Sequence, residues 1–288
     1  MMEVKEVLCR SILTRTSGYL KAVSSHSLNP YIGCGFGRSA CGVGCYVRAN
    51  HWLTRGRPWG GFVEAKTNAA DVYTATCDAE QRWAKKRGLP FSIFFSSATE
   101  PWQPLEKKFR ITRSILQAME QKPPQELILQ THSTGIRDDM KLIARLARVC
   151  DLRVQVSIEG DRDRLPGLPP PPATVADRIQ LLRDLTDAGI LTVACLSPLY
   201  PLRDADAFFK RLAATGIRAL VIDHFILGDG THDGSRTLKT GLPSAMAEAL
   251  AASTTLSYRD HVAEIARKYL PVGLSAEGFA GHYSAQHP

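Results

Sequence analysis

Short apolar or β-branched runs recur along the chain, most of them separated by stretches of helical spacing, and a chain patterned in this way folds as a parallel sheet covered by helices. The runs are His26–Ile32, Gly61–Lys66, Phe91–Phe95, Glu126–Gln130, Leu152–Ile158, Leu191–Leu196 and Arg218–Ile222. One intervening stretch places Leu105, Phe109, Thr112, Ile115, Leu116 and Met119 on a helical face. Another opens at Thr174 as an N-cap, carries Ile179, Leu182 and Leu185 on one side and stops at Gly189. Pro243–Leu256 and Tyr258–Tyr269 also read as helices, and Gly273–Phe279 is expected to close over the rim of the sheet. The expectation is one α/β domain over residues 1–288, with a core at about 26–225 and a helical C-terminal extension at about 226–288.

Residues that follow the strands of a parallel sheet share one rim, where functional groups collect. Here those positions are Gly33-Cys34, Lys66-Thr67, Ser96-Ser97-Ala98-Thr99-Glu100, Thr131-His132-Ser133, Ser157 with Glu159, Ser197-Pro198 and Asp223-His224, nearly all polar. The first of them begins a loop with Gly33, Gly35, Gly37, Gly42 and Gly44 around Cys34, Cys41 and Cys45. Glycines let a backbone curl closely around a bulky inorganic ligand and turn N–H groups toward its sulfurs.

Three thiolates on one short loop suit a [4Fe–4S] cube that keeps one iron free of protein ligands. Structural zinc is the rival, and it requires a fourth ligand such as His51 or Cys77. A loop of inert thiols is the third reading. Cys9, Cys77, Cys150 and Cys195 stand alone and read as small buried side chains, and the odd total of seven argues against a disulfide framework.

With 44% hydrophobic and 22% charged residues the composition is that of an ordinary globular protein. No run approaches a membrane span and the start lacks the order of a signal peptide, so a cytoplasmic location with no membrane contact is expected. The formal charge of +8 favours an anionic partner, nucleic acid among them, although Lys107, Lys108, Arg110 and Arg113 lie among acids and aromatics as a solvated helix face would.

The segment Leu28-Asn29-Pro30-Tyr31-Ile32-Gly33-Cys34, followed by Cys45-Tyr46-Val47-Arg48 and His51, resembles the cluster loop of radical S-adenosylmethionine (SAM) proteins of the spore photoproduct lyase-like group. Thr99-Glu100-Pro101-Trp102-Gln103-Pro104 with Glu106 and Arg113, then Arg137-Asp138, Val156-Ser157-Ile158 and Ala188-Gly189-Ile190, continue the likeness in order over roughly residues 26 to 225. The resemblance implies a partial (β/α) barrel and an enzyme that cleaves SAM at a [4Fe–4S] cluster to make a 5′-deoxyadenosyl radical. It also implies Cys34, Cys41 and Cys45 as iron ligands and a reductant such as flavodoxin or ferredoxin. Thr99 and Glu100 would border the SAM amino group, Ser157 the carboxylate or ribose, and His132, where similar proteins often carry lysine, would donate to the carboxylate. The plainer reading of these four is that each caps a turn or a helix.

Three departures matter. The family leaves three and two residues between successive cysteines, whereas this loop has six and three. A proline tract, Pro166 to Pro172, stands where the family has a Glu-Pro-Arg segment. The strand end Ser96-Ser97-Ala98-Thr99 also lacks the cysteine that returns a hydrogen atom in the photoproduct lyases, which goes against DNA photolesion repair and leaves the substrate open. Cys77 and Cys195 are the remaining candidates for such a donor. A zinc- or cluster-bearing binding protein without catalytic activity is the alternative from another class.

Overall fold

The computed structural model describes residues 2–284. Its strands are β1 Glu3–Val7, β2 Leu13–Arg15, β3 His26–Leu28, β4 Tyr31–Gly33, β5 Phe62–Lys66, β6 Ser92–Phe95, β7 Glu126–Thr131, β8 Asp151–Ser157, β9 Thr192–Leu196, β10 Ala219–Ile222 and β11 Val272–Leu274. Eight of them form one sheet in the order β11-β10-β9-β8-β7-β6-β3-β2. All its pairings are parallel except that of β2 with β3. The two edge strands do not pair with each other, so the barrel stays open.

Side chains alternate across each strand with a period of two. Ile93, Phe95, Leu127, Leu129, Val154, Val156, Leu196 and Ile222 point outward, and the helices cover them in one continuous core. Phe94, Ile128, Val193, Cys195 and Val221 point inward, and a second cluster built with Val23 and Phe279 fills the hollow they line.

The helical boundaries follow local chemistry. Thr174 caps Val175–Asp187 by accepting from the Asp177 amide at 3.1 Å, and Gly189, in the left-handed region at φ +73°, ends it. The stretch from Leu105 to Met119 divides into Glu106–Phe109 and Ile111–Gln121, because Arg110 takes a left-handed conformation at φ 51°. Pro243–Leu256 is likewise broken: Leu242–Ala249 ends at Leu250, whose backbone is extended, before Leu256–Arg267 begins.

Two expectations about strands are corrected. The run His26–Ile32 makes two strands, since Pro30 has no N–H to offer a ladder and Asn29 turns aside, accepting from the Ala98 amide at 2.8 Å. The run Gly61–Lys66 lies outside the barrel, because β5 joins β1 in parallel and β4 in antiparallel fashion in a separate three-stranded sheet.

The C-terminal segment also departs from expectation. Instead of covering the rim, it adds β11 to the sheet edge and then turns down inside the barrel as the helix Ser275–Ala280. Gly273 makes this possible, since a Cβ there would lie 2.4 Å from the Gly278 Cα. The Phe279 carbonyl accepts from Arg153 Nη2 at 2.9 Å and Gln155 Nε2 at 3.1 Å, while its ring meets Tyr19 and Phe94 edge-on. Among the described residues no helix is long and apolar enough to cross a membrane.

Candidate functional site

The cysteine loop leaves β4 at the rim. Gly33 starts it in the left-handed region at φ +86°, where a Cβ would stand 2.3 Å from the Phe62 carbonyl oxygen, so only glycine fits. Deeper in the loop a Cβ on Gly37 would collide with Gly60, and one on Gly42 with the Gly37 backbone. These glycines let the loop pack closely on the protein itself. The six residues between Cys34 and Cys41 are braced on two sides. Gln103 Oε1 accepts the Gly35 amide at 2.6 Å, and the Pro170 carbonyl accepts the Ala40 amide at 3.1 Å. The proline tract thus has a place: it props the enlarged part of the loop.

Cys34, Cys41 and Cys45 lie near enough for charge on one to act on another. The charge of Cys45 raises the proton affinity of both Cys34 and Cys41, and that of Cys34 raises Cys41 further. Burial pushes the Cys34 thiol up to about 12 and the Cys45 thiol to about 11, and holds Cys41 well above the usual thiol range. Donors oppose this at every sulfur. The Phe36 and Glu100 amides favour the Cys34 thiolate, the Val47 and Arg48 amides that of Cys45, and the Ser39 hydroxyl lies 3.2 Å from Cys41 Sγ. Such donors steady a thiolate once a metal has displaced its proton.

The donor set also tests which metal fits. A lone zinc needs its ligands to converge at about 2.3 Å from sulfur. Among the described residues no group of three or more His, Cys, Asp or Glu side chains is placed to hold a metal ion. A cube takes its thiolates on separate irons at different corners; the loop offers three sulfurs, Cys34 and Cys45 supported by backbone amides and Cys41 by the Ser39 hydroxyl.

Beside the loop, Thr99 Oγ1 donates to the Gly33 carbonyl at 2.6 Å and ties the end of β6 to the loop's first residue. Glu100 is buried, accepting from Thr131 Oγ1 at 2.6 Å, the His132 amide at 2.8 Å and the Trp102 amide at 3.1 Å. His132 stands between two carboxylates, with Nδ1 3.7 Å from Glu100 Oε2 and Nε2 3.2 Å from Glu159 Oε1. Glu159 in turn accepts from Arg178 Nη1 at 2.7 Å, and the same nitrogen donates to the Ser157 carbonyl at 2.7 Å. Ser157 Oγ accepts from Gln130 Nε2 at 2.6 Å and keeps its own proton free to donate.

Glu159 and Arg178 were not among the residues singled out for a role, although Glu159 follows β8 on the rim. Arg178 carries no local sign: it lies in an otherwise ordinary helix, and only the fold reveals that it is 1% exposed. Tyr46 was visible beside Cys45, and its hydroxyl donates to the Ser97 carbonyl at 2.5 Å, closing the loop against β6. Cys77 is buried among the outer helices, whereas Cys195 faces the barrel interior.

The charges at this rim set a pH dependence. Burial alone would lower the His132 pKa, but Glu100 and Glu159 outweigh it and push the imidazole up to about 9. A group raised in the folded state stabilises fully below its unfolded pKa, about 6.5, and loses that contribution as pH rises toward its folded value. Metal-free protein should therefore lose on the order of 2 kcal/mol between about pH 6.5 and 8. Urea midpoints measured across that range should fall for the wild type and stay level for His132→Gln; parallel curves would contradict the assigned charge.

No family model matches the chain. An uncharacterised protein of Methanocaldococcus jannaschii is 28% identical over 179 residues, 62% of this chain and 61% of the relative. Uncharacterised proteins of Mycobacterium tuberculosis and Mycobacterium bovis are 27% identical over 230 residues, 75% of this chain and 63% of theirs. The match thus spans about three fifths of the length of these curated relatives. Among solved structures, a spore photoproduct lyase complexed with dinucleoside spore photoproduct aligns with a TM-score of 0.60 at 13% identity, over 94% of this chain and 81% of that one. A mutant of the same enzyme with bound AdoMet and the dinucleoside photoproduct gives 0.61 at 13% identity over the same shares. The fold is that of spore photoproduct lyase, an open barrel of parallel strands covered by helices, as the sequence resemblance implied.

Proposed function

We propose that this chain is a radical SAM enzyme whose Cys34, Cys41 and Cys45 hold a [4Fe–4S] cluster. The observation that carries the reading is a trio of cysteines on one loop, each supplied with a hydrogen-bond donor, on the rim of a partial barrel of the spore photoproduct lyase fold. When bound and reduced, the cluster would supply one electron to SAM, whose carbon–sulfur bond breaks to leave methionine and a 5′-deoxyadenosyl radical able to take a hydrogen atom from a substrate.

The chain's own residues position and shield this chemistry. Thr99 spends its hydroxyl on Gly33, so it acts by fixing where the cysteine loop begins. Glu100, with its side chain held by three donors, borders the SAM amino group from a rigid place while its amide supports Cys34. His132, kept protonated at neutral pH by its two carboxylate neighbours, offers a positive charge to the SAM carboxylate. Ser157 has a free proton for the carboxylate or ribose. Phe279, Tyr19 and the inward apolar residues pack together inside the barrel and would give a reactive radical apolar surroundings.

Nucleic acid is a second reading of the substrate, because the structural neighbours were solved with a dinucleoside photoproduct. Cys77 is too far into the helical layer to return a hydrogen atom to a substrate in the hollow, which leaves Cys195 as the inward-facing thiol. The test of the main reading is anaerobic reconstitution with iron and sulfide, followed by dithionite and SAM. Stoichiometric 5′-deoxyadenosine and methionine are expected; full cluster loading without either product rejects it.

A further inference from the structure

The 31 residues from Gly33 to Val63 hold all three candidate ligands, four arginines and neither Asp nor Glu. Arg38, Arg48 and Arg55 are exposed, as is His51. In their midst Trp52 is 91% exposed. Its position is built: Asn50 Oδ1 accepts from the Trp52 and Leu53 amides at 3.1 and 3.4 Å, fixing the short helix His51–Thr54, which packs on β4. Glu64 is buried and paired with Arg57 at 2.7 Å, lying 3.9 Å from Arg55, and Glu3, opposite Phe62 on β1, also lies near Arg57. A solvent-exposed indole on a capped helix, with arginines before and after it in sequence, has the composition of a binding hot spot.

The patch lies on one particular side of the cysteine loop. The opposite side faces the barrel, since Tyr46 bonds Ser97 there and Gly44 packs against Leu242. Helix His51–Thr54 instead adjoins the small sheet through β4. Substrate would reach the hollow from the barrel side, leaving the Trp52 side free for a different visitor close to the cluster loop.

We propose that Trp52, Arg38, Arg48 and Arg55 form the docking surface for an acidic one-electron carrier protein that reduces the cluster. This rests on the cluster reading above. The electron balance is simple: the carrier's reduced flavin or iron–sulfur group loses one electron, the cluster iron gains it, and no bond or proton changes at the surface. Arginines of one sign steer an acidic carrier, and the indole gives it a centre to pack on.

The probe is an oxidised bacterial flavodoxin, with a single-stranded DNA oligonucleotide in parallel, titrated against reconstituted wild type and the double variant Trp52→Ala/Arg55→Glu. The dissociation constant for flavodoxin should rise about tenfold in the variant, with a weaker dependence on salt. Flavodoxin-driven formation of 5′-deoxyadenosine should fall with it, while the dithionite-driven rate stays at the wild-type level and shows the variant is folded and loaded. A flavodoxin constant changed by less than about twofold overturns the proposal, as does loss of DNA binding with flavodoxin binding intact. If dithionite yields no product from loaded wild type, the enzymatic reading fails, and the binding constants still judge the docking surface by themselves.

Discussion

Cys41→Ala, reconstituted anaerobically beside the wild type, is expected to lose the broad visible absorbance of a [4Fe–4S] cluster and to retain at most about a tenth of the wild-type iron. Cys41 is the sulfur most dependent on its neighbours: burial, Cys34, Glu159 and Cys45 all disfavour its charge, and only the Ser39 hydroxyl favours it. Without a metal the site keeps three protonated thiols, so loading must expel three protons against the cost of burial, and two sulfurs cannot hold a cube firmly. Cys77→Ala, altering a thiol buried in the outer helical layer, should load normally. A Cys41→Ala protein with the wild-type spectrum and iron content would remove Cys41 from the ligand set and, with it, the proposed site.

The second large effect is expected from Arg178→Met. Arg178 and Glu159 are 1% and 5% exposed and bonded at 2.7 Å. Burial raises the Glu159 pKa, but Arg178 and then His132 more than reverse this and hold the carboxyl well below its ordinary range. Removing the guanidinium strands that charge and frees the Ser157 carbonyl, which should cost about 3–5 kcal/mol in urea unfolding. The companion Arg178→Met/Glu159→Gln should recover part of the loss, because no orphaned charge remains. The ion pair's contribution is present above about pH 4.5, the unfolded carboxylate value, and disappears as pH falls through the depressed folded value. A loss below about 1 kcal/mol in the single variant would mean that water reaches Glu159 after all.

The sheet was readable because its strands announce themselves locally. Phe91–Phe95, Glu126–Gln130, Leu152–Ile158 and Leu191–Leu196 are apolar runs, and each lies within a residue or two of β6 to β9. Strand β1 was not readable: Glu-Val-Lys-Glu-Val is almost wholly exposed and earns its conformation from β5 alone. The three residues of β11 are too few for any periodicity, and their strand state comes from β10. At the site, the cysteines, Thr99, Glu100, His132 and Ser157 stood out by their places after strands or in motifs. Gln103, Pro170 and Arg178 act across 68, 130 and 21 residues of sequence, on Gly35, Ala40 and Ser157, so no window along the chain could pair them.

The plugged hollow has one last implication. Tyr19 near one end of the chain and Phe279 near the other meet inside the barrel, where the Tyr19 hydroxyl also donates to Asp223 Oδ2 at 3.2 Å. Both termini thus fill one interior, so shortening either end of the chain should loosen the packing that the other relies on.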